Sequence, residues 1–218
     1  MKLLLTSAGI TNNSIKSAMA NLVNKKLEDC IISFIPTAGN VGNDDKDNEW
    51  EDEDIEGFRK TRAEVIIVDI EKFSKREWLP LLKKSDIICF GGGNTYHLLY
   101  WVRKSGLEKE LKDLLGSKLY IGISAGSIIA GPDIKINRDI FPEEEGYSLD
   151  DLSGLKYVPF AVTPHFLSKL FPKSRKKEIE EFAKKVSYPV YAIDDNTAIK
   201  VIDNKLEVIS EGKWEKYN

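Results

Sequence analysis

The stretch "LYIGISAGSIIAGP", residues 119–132, runs an apolar strand straight into Gly122-Ile123-Ser124-Ala125-Gly126, with one serine between two glycines. A helical segment, "SIIAG", follows at once. A sharp strand-to-helix turn forces strained backbone angles, and small neighbours let the serine oxygen stand clear; this is the physical content of G-x-S-x-G. The plainer reading is a strand-to-helix turn that happens to contain a serine. Five residues with three fixed recur by chance, so the pattern draws its weight from the elements around it.

Those elements alternate regularly. Apolar, β-rich runs fall at 2–6, 31–36, 64–70, 86–92, 119–124, 157–163 and 189–193. Several lack polar alternation, as strands do when both sheet faces are covered. Helical patterns lie between them, at about 12–28, 47–62, 75–85, 94–115 and 173–187. The alternation predicts an α/β fold with a mostly parallel sheet flanked by helices. The tail "TAIKVIDNKLEVISEGKW" alternates instead, and Asp203-Asn204-Lys205 can turn it, which predicts an antiparallel hairpin at an edge. No internal repeat or low-complexity linker divides residues 1–218, so one domain is expected.

Composition narrows the function classes. A chain of 218 residues that is 42% hydrophobic can bury a full core. Its formal net charge of −3, with no long basic run, argues against a nucleic-acid partner. Cys30 and Cys89 sit in apolar stretches, "EDCIISFIP" and "DIICFGGG", and read as buried thiols rather than a disulfide or metal pair. The opening "MKLLLTSAGI" is too short an apolar run for a signal peptide. No stretch approaches the ~20 apolar residues that span a bilayer. A soluble cytoplasmic protein without a membrane partner is expected. The segment 43–57, "NDDKDNEWEDEDIEG", carries nine acidic residues and reads as a solvated loop feeding the first turn of a helix.

In open parallel sheets ligands gather beyond the carboxyl ends of strands, and the groups able to do chemistry fall there. Three glycines in "CFGGGNTYHLL", 89–99, leave backbone N–H groups unshielded, while Asn94 or Thr95 can cap the next helix. Such an array suits an oxyanion; the spacing fits neither of the phosphate-binding patterns. A serine nucleophile needs a base, and the chain has two histidines. His97, in "TYHLLYWV", reads as a packed or capping residue. His165, in "FAVTPHF", lies just past a strand and is the candidate base. The carboxylate that would orient it is Asp139, in "KINRDIFP", or one of Asp194 and Asp195, in "YAIDDNTA". Spacing alone leaves that choice open.

Together these blocks resemble the peptidase E (aspartyl dipeptidase) family of serine peptidases, whose relatives include the cyanophycinases. "KLLLTS", "FIPTAG", "GGGNTYHLL", "YIGISAGS", "TPHF" and "IDDNTAIKV" occur in family order over nearly the whole chain. The resemblance implies a fold similar to class I glutamine amidotransferases, with serine in place of their cysteine. It implies Ser124 as nucleophile, His165 as base, and backbone N–H groups of Gly93 and Ala125 as oxyanion donors. For the third member the family offers the position of Asp139 or that of Asp195, where relatives commonly carry glutamate. Asp195 is preferred because it closes a strand beside the histidine strand. Asn94 and Arg175 become candidate substrate contacts, Arg175 through the carboxylate of an N-terminal aspartate. Lys173, Arg175, Lys176 and Lys177 equally suit the solvated start of a helix. No metal or organic cofactor is implied; short peptides are the expected substrates, and dimers occur among relatives. Two rivals remain: an esterase or amidase in which the acidic residue precedes the histidine, and a non-catalytic binding protein on the same scaffold.

Overall fold

A computed structural model describes residues 1–41, 49–141 and 149–218. Its strands are β1 (Lys2–Thr6), β2 (Ile31–Ile35), β3 (Glu64–Ile67), β4 (Ile87–Phe90), β5 (Leu119–Ile123), β6 (Ala161–Thr163), β7 (Val190–Ile193), β8 (Thr197–Ile202), β9 (Lys205–Ser210) and β10 (Trp214–Tyr217). The helices are α1 (Asn13–Leu22), α2 (Glu49–Arg59), α3 (Lys75–Lys84), α4 (Thr95–Lys104), α5 (Leu107–Leu114), α6 (Ala125–Ile128), α7 (Ile136–Ile140) and α8 (Lys176–Ala183). Seven strands form one sheet in the order β3-β2-β4-β5-β1-β8-β9. The pairs among β3, β2, β4, β5 and β1 are parallel, while β8 and β9 add antiparallel at one end.

Strand alternation explains the layers. Leu3 and Leu5 of β1, Phe90 of β4 and Tyr120 of β5 face a core closed by α3, α4 and α5 through Trp78, Leu82, Leu98, Leu99 and Leu111. Leu4, Phe34, Cys89 and Ile121 face the opposite core, closed by α1 and α2 through Ile15, Met19, Leu22, Ile55 and Phe58. Both faces are therefore covered, as continuous apolar strands require. Cys30 and Cys89 are free and buried. Among the described residues no helix is long and apolar enough to cross a membrane.

The tail forms the expected edge hairpin. Asp203 and Asn204 both adopt positive φ, 45° and 72°, as a two-residue hairpin turn demands. Two expectations need correction. The helical pattern 94–115 is two helices, α4 and α5, because Gly106 takes a left-handed conformation at φ 80° and breaks the run. The last two predicted parallel strands, observed as β6 and β7, do not join the main sheet. They pair with each other in parallel, and β10 adds antiparallel to β7, making a second sheet of three strands. Pro159 lacks an amide hydrogen, and Lys156 has φ 57°, so the run 157–163 pairs only over its last three residues. Of the acidic segment 43–57, residues 49–57 lie in α2 and the remainder outside the described residues.

The turn after β5 is set by contact rather than conformational freedom alone. A Cβ at Gly122 would lie 2.6 Å from Gly126 C, Gly126 O and Ser127 N, all backbone atoms that cannot rotate away. At Gly57, inside α2, a Cβ meets nothing within 4 Å. Gly122→Ala is therefore expected to lower stability by about 1–3 kcal/mol or more through overpacking. Gly57→Ala should raise it by about 0.5–1 kcal/mol through helix propensity. Denaturant unfolding of the two variants checks both signs.

Candidate active site

The carboxyl end of β5 delivers Ser124 at φ 47° and ψ −106°, outside the regions that L-residues ordinarily occupy. Such strain persists only where surroundings over-determine it, and here they do. Ser124 N–H donates to Thr6 O at 3.1 Å, and Ser127 N–H donates to Ser124 O at 2.8 Å. The Ser127 hydroxyl donates to Thr6 O and Gly122 O, and the Tyr120 hydroxyl donates to Gly126 O at 2.6 Å. A side chain at Gly126 would overlap Phe90 O. Both glycines of the pattern are thus required by backbone packing beneath the serine.

The second sheet supplies the other two groups. In the register of β6 with β7, Thr163 faces Ala192, and Phe166 N–H donates to Ile193 O at 3.0 Å. His165 and Asp195 leave these neighbouring strand ends together. His165 Nδ1 and Asp195 Oδ1 are 2.7 Å apart, and His165 Nε2 and Ser124 Oγ are 3.0 Å apart. A carboxylate only accepts, so Nδ1 carries the hydrogen and Nε2 is left to accept the Ser124 hydroxyl proton. Burial pushes the Asp195 pKa upward, but hydrogen bonds from His165 and Ser7, with the attraction of the imidazole, outweigh it and hold the carboxyl below its ordinary value. The aspartate side chain reaches the imidazole without the extra methylene of glutamate.

His165 itself sits at φ 57°, on a tight loop. The Phe171 ring stacks on the imidazole with centroids 4.2 Å apart and planes at 14°. Arg175 closes this loop: Nη1 donates to Phe171 O and Ser174 O, and Nη2 donates to Ser168 O at 2.7 Å. The buried Ser174 hydroxyl donates to Pro164 O at 2.9 Å. Three of the five N–H donors of Arg175 are therefore spent on its own loop.

At the end of β4, Gly93 has φ 117°, and a side chain there would overlap the Ala38 carbonyl. Asn94 N–H donates to that same carbonyl at 2.8 Å, fastening the glycine loop to the turn after β2. The Asn94 side chain caps α4, accepting His97 N–H at 2.9 Å. His97 is buried, and its Nε2 lies 2.8 Å from Glu71 Oε2, in keeping with a packed residue. Asp139 stays apart from the imidazole cluster; its carboxylate pairs with Lys185, just beyond α8, at 2.9 Å. The structure thus brings Ser124, His165 and Asp195 together and leaves Asp139 out.

Several contributors escaped the sequence reading. Ser7 bonds Asp195, Phe171 covers His165, and Asp69 braces the turn that meets Gly93. Ser7 alone had a usable signal, since it stands just past the first strand at the carboxyl edge. A cavity of about 690 Å³ adjoins the carboxylate side, lined by Ala8, Thr11, Asp54 and Lys60 among others. Thr11 links it to the site, its hydroxyl donating to Asp195 O at 2.7 Å.

Hydroxyl, imidazole and carboxylate in this order, on the rim of a mostly parallel sheet, form the constellation used by serine hydrolases. The sequence model of peptidase family S51 matches residues 3–209, and the chain belongs to that family. The chain is a peptidase, a hydrolase, and the serine type fits the family. Its relatives include the uncharacterised peptidase Lmo0363 of Listeria monocytogenes serovar 1/2a, 30% identical over 169 residues, covering 77% of this chain and 80% of that one. Peptidase E of Shewanella putrefaciens is 34% identical over 136 residues, covering 60% of this chain and 56% of that one. A solved structure from Listeria monocytogenes EGD-e, assigned as a peptidase E, superposes with a TM-score of 0.80 at 24% identity, covering 97% of this chain and 98% of that one, and shows the shared fold.

The brace under the glycine loop is electrostatic. Buried Asp69 accepts from Thr37 Oγ1 at 2.8 Å and Asn40 Nδ2 at 2.9 Å, and pairs with Lys72 at 3.1 Å. Burial raises its pKa, but these hydrogen bonds and one from Glu71 N–H prevail and hold it below the ordinary value. Its stabilising effect is therefore complete above the unfolded-state pKa of about 3.9 and fades as pH falls through the lower native value. Asp69→Asn should unfold at a lower temperature than wild type at pH 7, and the gap should shrink below about pH 4. Thermal unfolding across pH 3–7 measures it.

Proposed function

We propose that the chain hydrolyses short peptides by nucleophilic catalysis at Ser124. The observation that carries this reading is the unbroken run of hydrogen-bond contacts from Ser124 Oγ through His165 to Asp195, at 3.0 and 2.7 Å. His165 Nε2 takes the hydroxyl proton as Oγ attacks the scissile carbonyl. The oxyanion so formed is received by the N–H groups of Ala125, at the start of α6, and Gly93. His165 then returns the proton to the leaving amine, giving an acyl-enzyme. Water, deprotonated by the same imidazole, releases the acid and restores Ser124. Asp195 holds the tautomer and balances the imidazolium.

On this reading the scaffold is akin to class I glutamine amidotransferases, a single domain acting in the cytoplasm, with serine where those enzymes carry cysteine. A preference for N-terminal aspartate, implied by the family resemblance, would fall to the Arg175 edge not engaged with its own loop. The loop-closing bonds give Arg175 a first duty that holds Phe171 against His165. An esterase of the opposite residue order would need Asp139, whose partner here is Lys185.

Asp195→Asn should lower kcat by roughly 10⁴, the size of a lost tautomer lock in a triad. Asp139→Asn should leave it within about twofold, as exposed ion pairs contribute little. Peptide turnover by both variants, with fluorophosphonate labelling at Ser124, decides the matter. Loss of activity with Asp139→Asn alone, or an unlabelled Ser124 in folded protein, would overturn the assignment.

A further inference from the structure

We propose that Ser7 is a positioning residue for the reaction, its hydroxyl clamping the Asp195 carboxylate to the backbone of His165. The proposal rests on the triad reading above. Ser7 is the first residue beyond β1 and is fully buried. Because Thr6 pairs with Ile123, Ser7 stands alongside Ser124 at the end of the main sheet.

Its Oγ makes two strong contacts in opposite senses. It accepts His165 N–H at 2.8 Å and donates to Asp195 Oδ1 at 2.7 Å. A serine hydroxyl has one hydrogen, so donation to Asp195 fixes the direction of the chain: His165 N–H, then Ser7 O–H, then carboxylate. The same Oδ1 takes the hydrogen on Nδ1, and Ser7 Oγ lies 3.4 Å from Nδ1. Ser7, the carboxylate oxygen and the imidazole nitrogen thus form a closed triangle.

Two consequences follow. The first is geometric. His165 holds φ 57°, where a non-glycine residue needs external support, and the Ser7 bond ties its amide to the strand beside the nucleophile. Ser124 belongs to the main sheet, while His165 and Asp195 follow strands of the second. Ser7 therefore ties the two halves of the site where they meet, with Thr11 bonding the Asp195 carbonyl beside it.

The second consequence is electrostatic. The Ser7 hydrogen stabilises the carboxylate and spreads its charge, tempering its pull on the imidazolium. Without that donor the less satisfied anion pulls harder on the positive charge that the imidazole takes on during the reaction. Among the described residues Asp195 is the charged group within ion-pair distance of His165. Neighbouring Asp194 is turned to Thr197 and Lys213 N–H, Glu211 caps α1 at Ser14, and Arg175 lies on the carbonyls of its loop.

The test uses the full chain and a fluorophosphonate, with the labelling rate at Ser124 followed across pH. Melting temperatures are measured alongside, and kcat and KM on any peptide that wild type cleaves. Ser7→Ala should label about tenfold to a hundredfold more slowly, the weight of one hydrogen bond to a charged group. The midpoint of its acid limb should move to higher pH, with kcat reduced and KM nearly unchanged. Ser7→Cys, of similar size but a weak donor, should fall between Ser7→Ala and wild type, and it carries the measurement if Ser7→Ala does not fold. A slower rate with an unmoved acid limb would show packing alone, and wild-type rates would show no role; either overturns the proposal. If wild-type Ser124 is not labelled, the triad reading falls and takes this proposal with it. A labelled wild type beside an insensitive Ser7→Ala removes the Ser7 proposal only.

Discussion

The seam between two sheets is the constraint on which the site depends. Ser124 follows a strand of the seven-stranded sheet, whereas His165 and Asp195 follow neighbouring strands of the three-stranded one. Parallel pairing of β6 with β7, Thr163 against Ala192, makes the imidazole and carboxylate leave the same edge side by side. Antiparallel pairing of the same strands would send them to opposite ends. The arrangement then needs a fastening between the sheets. The β1–α1 connection supplies it, as Ser7 bonds His165 and Asp195, Thr11 bonds Asp195 O, and Asn12 bonds Asn196 O.

Rigidity at Ser124 has a separate source. The serine keeps an unfavourable backbone conformation because no neighbour can yield: a side chain at Gly122 would overlap the backbone of Gly126, one at Gly126 would overlap Phe90 O, and buried hydroxyls of Thr6, Ser127 and Tyr120 bond the surrounding carbonyls. Proteins hold such strain at places where surroundings leave no alternative. The glycine loop at Gly93 is held by a comparable device. There the Ala38 carbonyl both excludes a side chain and accepts Asn94 N–H.

Much of this was legible in the residues. Continuous apolar strands marked a covered parallel sheet, and "GISAG" after a strand marked the elbow. "TPHF" placed a histidine where ligands gather. What stayed hidden depends on distances that local sequence does not encode. Nothing in "YVPFAVT" announces that its strand leaves the main sheet, because an apolar run looks alike in either. Gly106 within 94–115 was a visible breaker, yet a lone glycine is tolerated in helices, and its left-handed conformation is a tertiary outcome. The roles of Phe171 and Asp69 arise from contacts across the fold with His165 and the turn after β2, so no short motif could display them.

The adjacent aspartates of "IDDNTAIKV" show why residue type alone could not choose the carboxylate that meets His165. Asp194 accepts from Asn196 N–H, the Thr197 hydroxyl and Lys213 N–H, while its carbonyl accepts Thr197 N–H. Its carboxylate oxygens are committed to turning the chain into β8, and a side chain at Gly212 would overlap them. Asp195, one residue on, points to the other side of the turn, where its donors are an imidazole and a hydroxyl. Two chemically identical groups thus take different partners according to which donors reach them. Exchanging their duties would require the turn to lose its brace at the moment the imidazole gained a partner. That coupling between holding the turn and facing His165 is why Asp195, rather than its neighbour Asp194, meets the imidazole, while Asp139 is already paired with Lys185.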